Sequence, residues 1–150
     1  MSGFQRGIAA IGRICFSLIF IFAGINKILN WEGSEQYLVN GLLDFLSHTY
    51  NQGWAQGLFD HLLPFSATLL VIATAIELIG GLMIFTGLWV RFGAFALCIF
   101  LIPTTVIFHS FWWLEGADKQ LQMSMFLKNL SIFGAALFLL ALGKGRRRVD

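Results

Sequence analysis

Residues 64–88 read PFSATLLVIATAIELIGGLMIFTGL, and this stretch decides the fold. It exceeds the roughly 20 apolar residues that a helix needs to cross a bilayer. Yet a carboxylate, Glu77, stands near its middle. An ionisable group at that depth is costly unless it is paired or faces a polar interior. The segment therefore predicts a buried polar spine sheltered by other membrane helices.

Three further apolar runs flank it, giving spans at about 8–28, 65–88, 92–108 and 125–142. Only helices and closed barrels satisfy their backbone in lipid, and four runs of this length do not make a barrel. The expected fold class is all-α: a single transmembrane domain over residues 1–150, built as a four-helix bundle. Composition agrees, with 57% apolar residues, 16 Phe and only 12% charged residues against the usual quarter. A net charge of +2 is too small to point to nucleic acid as a partner. The lipid bilayer is the expected partner. The first run is longer than the core of a secretory signal, and no small-x-small cleavage site follows it, so it is read as a retained span. Cys15 and Cys98 both fall inside apolar runs without a C-x-x-C motif. They read as small apolar residues, with a disulfide or soft-metal pair as the alternative.

Basic residues set the orientation. One side carries Arg6, Arg91, Lys144, Arg146, Arg147 and Arg148, whereas the other carries Lys119 among Glu32, Glu35, Asp44, Asp60, Glu115 and Asp118. Both termini are expected in the cytoplasm, and in a bacterium the two long connections face the periplasm. The first of these, 31–63, is too long for a simple turn. Tyr37, Leu38, Leu42, Phe45, Leu46 and Thr49 recur at helical spacing, and the pattern restarts at Trp54, Leu58 and Leu62. That spacing predicts two short interfacial helices, serving as a plain cover or as a gate over a ligand entrance. The second connection, 110–124, opens on Phe111-Trp112-Trp113 and reads as an interface anchor followed by a hydrated loop at 115–122. Pro64 suits the first turn of the second span, and Pro103 interrupts the third.

Each span carries one polar or small-residue line at 4-3-4 spacing. The lines are Arg13, Ser17, Phe20, Gly24, Lys27; Leu70, Thr74, Glu77, Gly81; Cys98, Ile102, Thr105, His109; and Ser124, Lys128, Ser131, Ala135. Such faces avoid lipid, so all four are expected to converge. At the helical rise, Arg13 falls ~9 Å from the cytoplasmic edge, Glu77 ~15 Å, Lys128 ~22 Å, and His109 and Lys27 ~27–30 Å. Arg13 is therefore the expected main partner of Glu77, with Lys128 approaching from the other side. Asn26, Lys27, His109, Lys128 and Asn129 form a second group suited to an anionic or carbonyl-bearing ligand such as a quinone headgroup. The competing reading is that the lysines snorkel to the surface and the buried charges are purely structural. Rival chemistries lack their residues: a bis-His haem needs two span imidazoles, and His48, His61, Asp44 and Asp60 have no metal-site spacing.

These residues bring a family into view. Phe22-Ala23-Gly24-Ile25-Asn26-Lys27 is similar to the F-A-G-x-x-K signature of DoxX-like membrane proteins, and Glu77-Leu78-Ile79-Gly80-Gly81 to their E-x-x-G-G. Phe108-His109 and Phe126-Leu127-Lys128-Asn129-Leu130 resemble the family's F-H and F-x-K-N-L features. The long first connection departs from the shortest members. The resemblance implies a four-helix inner-membrane protein, with relatives in thiosulfate:quinone oxidoreduction and in oxidative-stress complexes. Lys27, Glu77, His109, Lys128 and Asn129 carry over as site candidates, and Arg13 takes the place of a basic residue common in the first span. Three functions compete: an accessory subunit binding a quinone or small anion beside a redox-enzyme partner, a non-enzymatic assembly or interaction protein, and an anion transporter. The transporter would need a homo-oligomer, since four spans show no inverted repeat.

Overall fold

The computed structural model describes residues 2–144. Six α-helices follow in order: α1 (Gly3–Leu29), α2 (Trp31–Thr49), α3 (Gly53–Leu62), α4 (Ser66–Thr86), α5 (Val90–Phe108) and α6 (Gly116–Leu142). Short 3₁₀ turns at Leu63–Phe65 and Phe111–Trp113 introduce α4 and follow α5. The described residues contain no strand. Four helices are long and apolar enough to cross a membrane, which makes the chain an all-α integral membrane four-helix protein. Arg146, Arg147 and Arg148, used above for orientation, lie outside the described residues.

Local sequence sets the helix ends. Ser2 and Gln5 form a reciprocal capping box that starts α1 five residues before its apolar run. Gly87, with φ at 75°, closes α4 in the left-handed conformation that glycine adopts without a Cβ penalty. Trp89 takes a positive φ of 57° to turn the chain into α5. Two boundaries differ from the sequence reading. The polar stretch 115–122 is not a hydrated loop: Glu115 is the N-cap of α6 and 116–122 form its first two turns. In α3 the buried face is Ala55 and Phe59, one position on from Trp54 and Leu58, because α3 packs on Leu42 and Phe45 of α2.

The spanning helices pack α1 on α4, α4 on α5 and α5 on α6. Glycines set both crossings of α4. A Cβ on Gly93 would lie 2.8 Å from the Gly80 carbonyl, so α4 and α5 touch backbone to backbone. A Cβ on Gly81 would lie 3.0 Å from Ile21 of α1 and 3.4 Å from its backbone nitrogen. This close approach is the small-residue packing that replaces the hydrophobic effect inside lipid. Phe20, Ile84, Val90, Ala94, Leu97 and Leu101 fill the core between these helices.

Three polar lines turn inward, as expected: Ser17, Phe20 and Gly24 of α1, all four residues of the α4 line, and Cys98 and Thr105 of α5 are buried. The fourth does not. Ser124, Lys128, Ser131 and Ala135 are exposed, and α6 instead packs through Ile132, Phe133, Ala136, Leu139 and Leu140. The physical reason is register. The core is apolar where α6 meets it, so α6 rotates its bulky face inward. Cys15 is exposed, Cys98 is buried, and both are free thiols.

Candidate functional site

Glu77 is held near the middle of α4, one turn before the Gly80-Gly81 pair that lets α5 and α1 close on either side. Its partner is Lys27. Lys27 Nζ donates to Glu77 Oε2 at 2.7 Å, and this is the single salt bridge among the described residues. The Glu77 side chain is 6% exposed and that of Lys27 24% exposed. The carboxylate is thus sequestered, while the ammonium keeps an outlet.

The expected pairing of Arg13 with Glu77 is overturned, and the helix register explains it. In antiparallel α1 and α4, Gly24 meets Leu78 and Gly81 meets Ile21. Lys27 therefore reaches the level of Glu77, while Arg13 falls beside Gly87, where α4 ends. Hydropathy limits had aligned residue 8 with residue 88. The observed alignment slides α1 by about six residues, or ~9 Å at the helical rise.

A cavity of ≈ 440 Å³ opens between α2, α4 and α5. Lys27, Glu77 and His109 all line it, among mostly apolar walls that include Leu70, Ile76 and Phe100. Tyr37 of α2 stacks on Phe108 of α5 with ring centroids 5.4 Å apart and planes 16° from parallel, and both rings line the same space. His109 caps α5, and its Nδ1 lies 2.8 Å from Gln122 Oε1 in the first part of α6. With Nδ1–H donating to that amide oxygen, Nε2 is left as an acceptor. Pro103 also lines the cavity; lacking an N–H, it leaves the Ile99 carbonyl without its helical donor. Ser66 Oγ donates to Glu35 Oε1 at 2.8 Å, latching α2 to the start of α4.

Of the sequence-derived candidates, Lys27, Glu77 and His109 come together. Asn26 and Lys128 are exposed, Asn129 is half-buried, and none of the three lines this cavity. Lys128 Nζ instead contacts Met125 Sδ one turn away on α6. Sequence reading missed Tyr37, Ser34 and Thr104, which line the cavity. Tyr37 lay in the periodic α2 pattern, but its ring stays largely exposed and its stacking partner on α5 was not legible. Between α2 and the turn after α5, the His48 ring stacks on Trp113 at 4.7 Å. The Nδ1 atoms of His48 and His61 lie within hydrogen-bond distance of the Asp44 and Gly57 carbonyls.

A polytopic α-helical protein with a buried lysine–glutamate pair beside an apolar cavity is the class this geometry defines. Residues 8–110 match the DoxX family model, and the chain belongs to the DoxX family. It is 29% identical over 140 residues to the inner membrane protein YphA of Escherichia coli strain K12, covering 93% of this chain and 86% of that protein. It is 32% identical over 140 residues to the inner membrane protein YqjF of the same strain, covering 93% and 87%. No solved structure matches the chain.

Proposed function

We propose that this DoxX-family membrane protein is an accessory subunit that holds a quinone-like or small anionic ligand for a membrane redox partner. The observation that carries the reading is the ≈ 440 Å³ cavity shared by Lys27, Glu77 and His109. Its size and largely apolar lining suit a ring with the first part of a lipophilic tail. The Lys27 ammonium donates to a carbonyl or an anion, and Glu77 fixes where that ammonium stands. His109 Nε2 accepts from a ligand hydroxyl, and the Tyr37–Phe108 stack offers a flat wall. A bound quinone supplies two-electron, two-proton chemistry, its electrons coming from the partner subunit. This chain's part is to bind and orient the ligand through Lys27 and His109. The reading places the protein in a bacterial inner membrane, as the names of its relatives suggest, with both termini cytoplasmic on the strength of Arg6, Arg91 and Lys144.

The test is titration of a short-tailed quinone into the purified protein, followed by thermal unfolding. Saturation at a hundred times Kd stabilises by about 2.7 kcal/mol. No shift for the parent protein, with Lys27→Gln indistinguishable from it, would remove the reading.

One observation favours a second reading, a non-enzymatic membrane interaction protein. The Ser124, Lys128, Ser131 and Ala135 line of α6 faces outward, where small and polar residues are what a transmembrane helix partner packs against. A second copy of the chain is the simplest such partner.

A further inference from the structure

The end of the molecule away from the cavity gathers cations that no carboxylate among the described residues pairs with. Arg13 lies against Gly87 with its guanidinium, and Lys144 brings its Cε to the same glycine. Arg13 Nε and Nη1 are buried with no hydrogen-bond partner among the described residues. Burying unpaired guanidinium donors is costly, so the site is built for an acceptor that the described residues do not supply. Arg91 is differently employed: its Nη2 donates to the Ala141 carbonyl at 3.0 Å, capping the end of α6. Every described carboxylate other than Glu77 belongs to the opposite long connections.

Shape adds an independent argument. An open recess of ≈ 750 Å³ runs along the α4–α5 turn, lined by Gly87 to Phe92 and by Leu142 to Lys144. It includes the first turn of α5, whose leading N–H groups have no intrahelical acceptor and carry the positive end of the helix dipole. Against it, sharing Leu88 and Trp89, lies an almost wholly apolar groove of ≈ 480 Å³ on the outer side of α4, formed with Ile79, Leu82, Met83 and Thr86. A turn between two membrane helices sits at the headgroup level, and the groove descends from it toward the bilayer interior.

We infer that the α4–α5 turn binds an anionic phospholipid, its phosphate between Arg13, Lys144 and the first turn of α5, and one acyl chain in the groove below Trp89. A soluble phosphate satisfies the cations but leaves the groove unused. A zwitterionic lipid fills the groove but brings its own ammonium to the cations.

Native mass spectrometry of the full chain in detergent, with equimolar phosphatidylglycerol and phosphatidylcholine of identical chains, tests this. Phosphatidylglycerol adducts are expected to dominate, and Arg13→Gln and Lys144→Gln are each expected to reduce the preference about fivefold, the effect of one basic residue at a membrane surface. Lys144 is exposed, so its variant retains the fold, and Arg6→Gln, outside the site, is expected to leave the preference unchanged. Equal retention of the two lipids overturns the inference. So does an equal loss in Arg6→Gln, which marks nonspecific surface charge. Inorganic phosphate that displaces phosphatidylglycerol at equal concentration overturns the lipid assignment, because the acyl groove then contributes nothing.

Discussion

Lys27 Nζ sits 2.7 Å from Glu77 Oε2, joining the C-terminal end of the first span to the middle of the second across 50 residues of chain. The pair is what makes a carboxylate tolerable inside α4. It also fixes which wall of α4 faces the cavity, since both residues line it.

Breaking the pair from one side is expected to cost more than removing it. Lys27→Met strands the buried carboxylate; such losses run at about 3–5 kcal/mol for buried pairs, and the partial exposure of Lys27 brings the expected value to the lower end. The double variant Lys27→Met/Glu77→Gln, which removes both charges, is expected to recover most of it. Thermal unfolding of these two variants, the Glu77→Gln single variant and the parent in one detergent gives the coupling directly.

Gly93→Ala is expected to destabilise, because its Cβ would meet the Gly80 carbonyl at 2.8 Å and the backbone cannot yield as a side chain would. Overpacking of this kind costs about 1–3 kcal/mol. Gly134→Ala in α6 is the contrast: nothing lies within 4 Å of its Cβ, so the change is expected to be neutral or to stabilise by up to about 1 kcal/mol through helix propensity. Equal melting shifts for the two variants would refute the backbone crossing of α4 and α5.

Filling the cavity separates binding from folding. Ala73 lines the cavity, so Ala73→Phe is expected to abolish quinone stabilisation while the unliganded protein keeps its melting temperature within a few degrees. Scanning calorimetry of parent and variant, with and without the quinone, reads both quantities.

Loosening the latch between α2 and α4 is expected to speed ligand exchange. Glu35→Ala removes the 2.8 Å acceptor of Ser66 Oγ, a contribution of about 1 kcal/mol. A several-fold rise in both the off-rate and the on-rate is the expected signature of α2 acting as the cavity's cover. Unaltered kinetics would assign α2 a purely packing role.

Outward exposure of Ser131 predicts contact between copies if the second functional reading holds. In a Cys15→Ser background, Ser131→Cys is expected to form an intermolecular disulfide on oxidation in native membranes, whereas Ala136→Cys, buried against α5, is not. A monomeric Ser131→Cys band would set that reading aside.

Much of the fold was legible in the sequence because a bilayer leaves the chain few choices. Apolar length located the four spans, and the period of Leu38, Leu42 and Phe45 exposed the buried face of α2. Stripe spacing correctly turned α1, α4 and most of α5 inward. Helix register was not legible. Whether Arg13 or Lys27 reaches Glu77 depends on Gly24 meeting Leu78 and Gly81 meeting Ile21, contacts that no single helix reveals. The rotation of α6 was hidden for a similar reason. Its polar line and its Phe133–Leu140 line are both regular, and only the apolar surface offered by α5 chooses between them.

The separation of Lys27 and Glu77 along the chain bears on biogenesis. Translation at about 5–20 residues per second delivers Glu77 several seconds after Lys27, since Glu77 comes 50 positions later in the chain. Until α4 emerges, α1 must wait at the translocon or in lipid with its ammonium reaching for the headgroups, as lysines near helix ends can. Glu77, deeper in its own segment, has no such refuge. Insertion of α4 is therefore expected to depend on α1 being already in place, making the first hairpin of spans the obligatory seed on which α5 and α6 are laid.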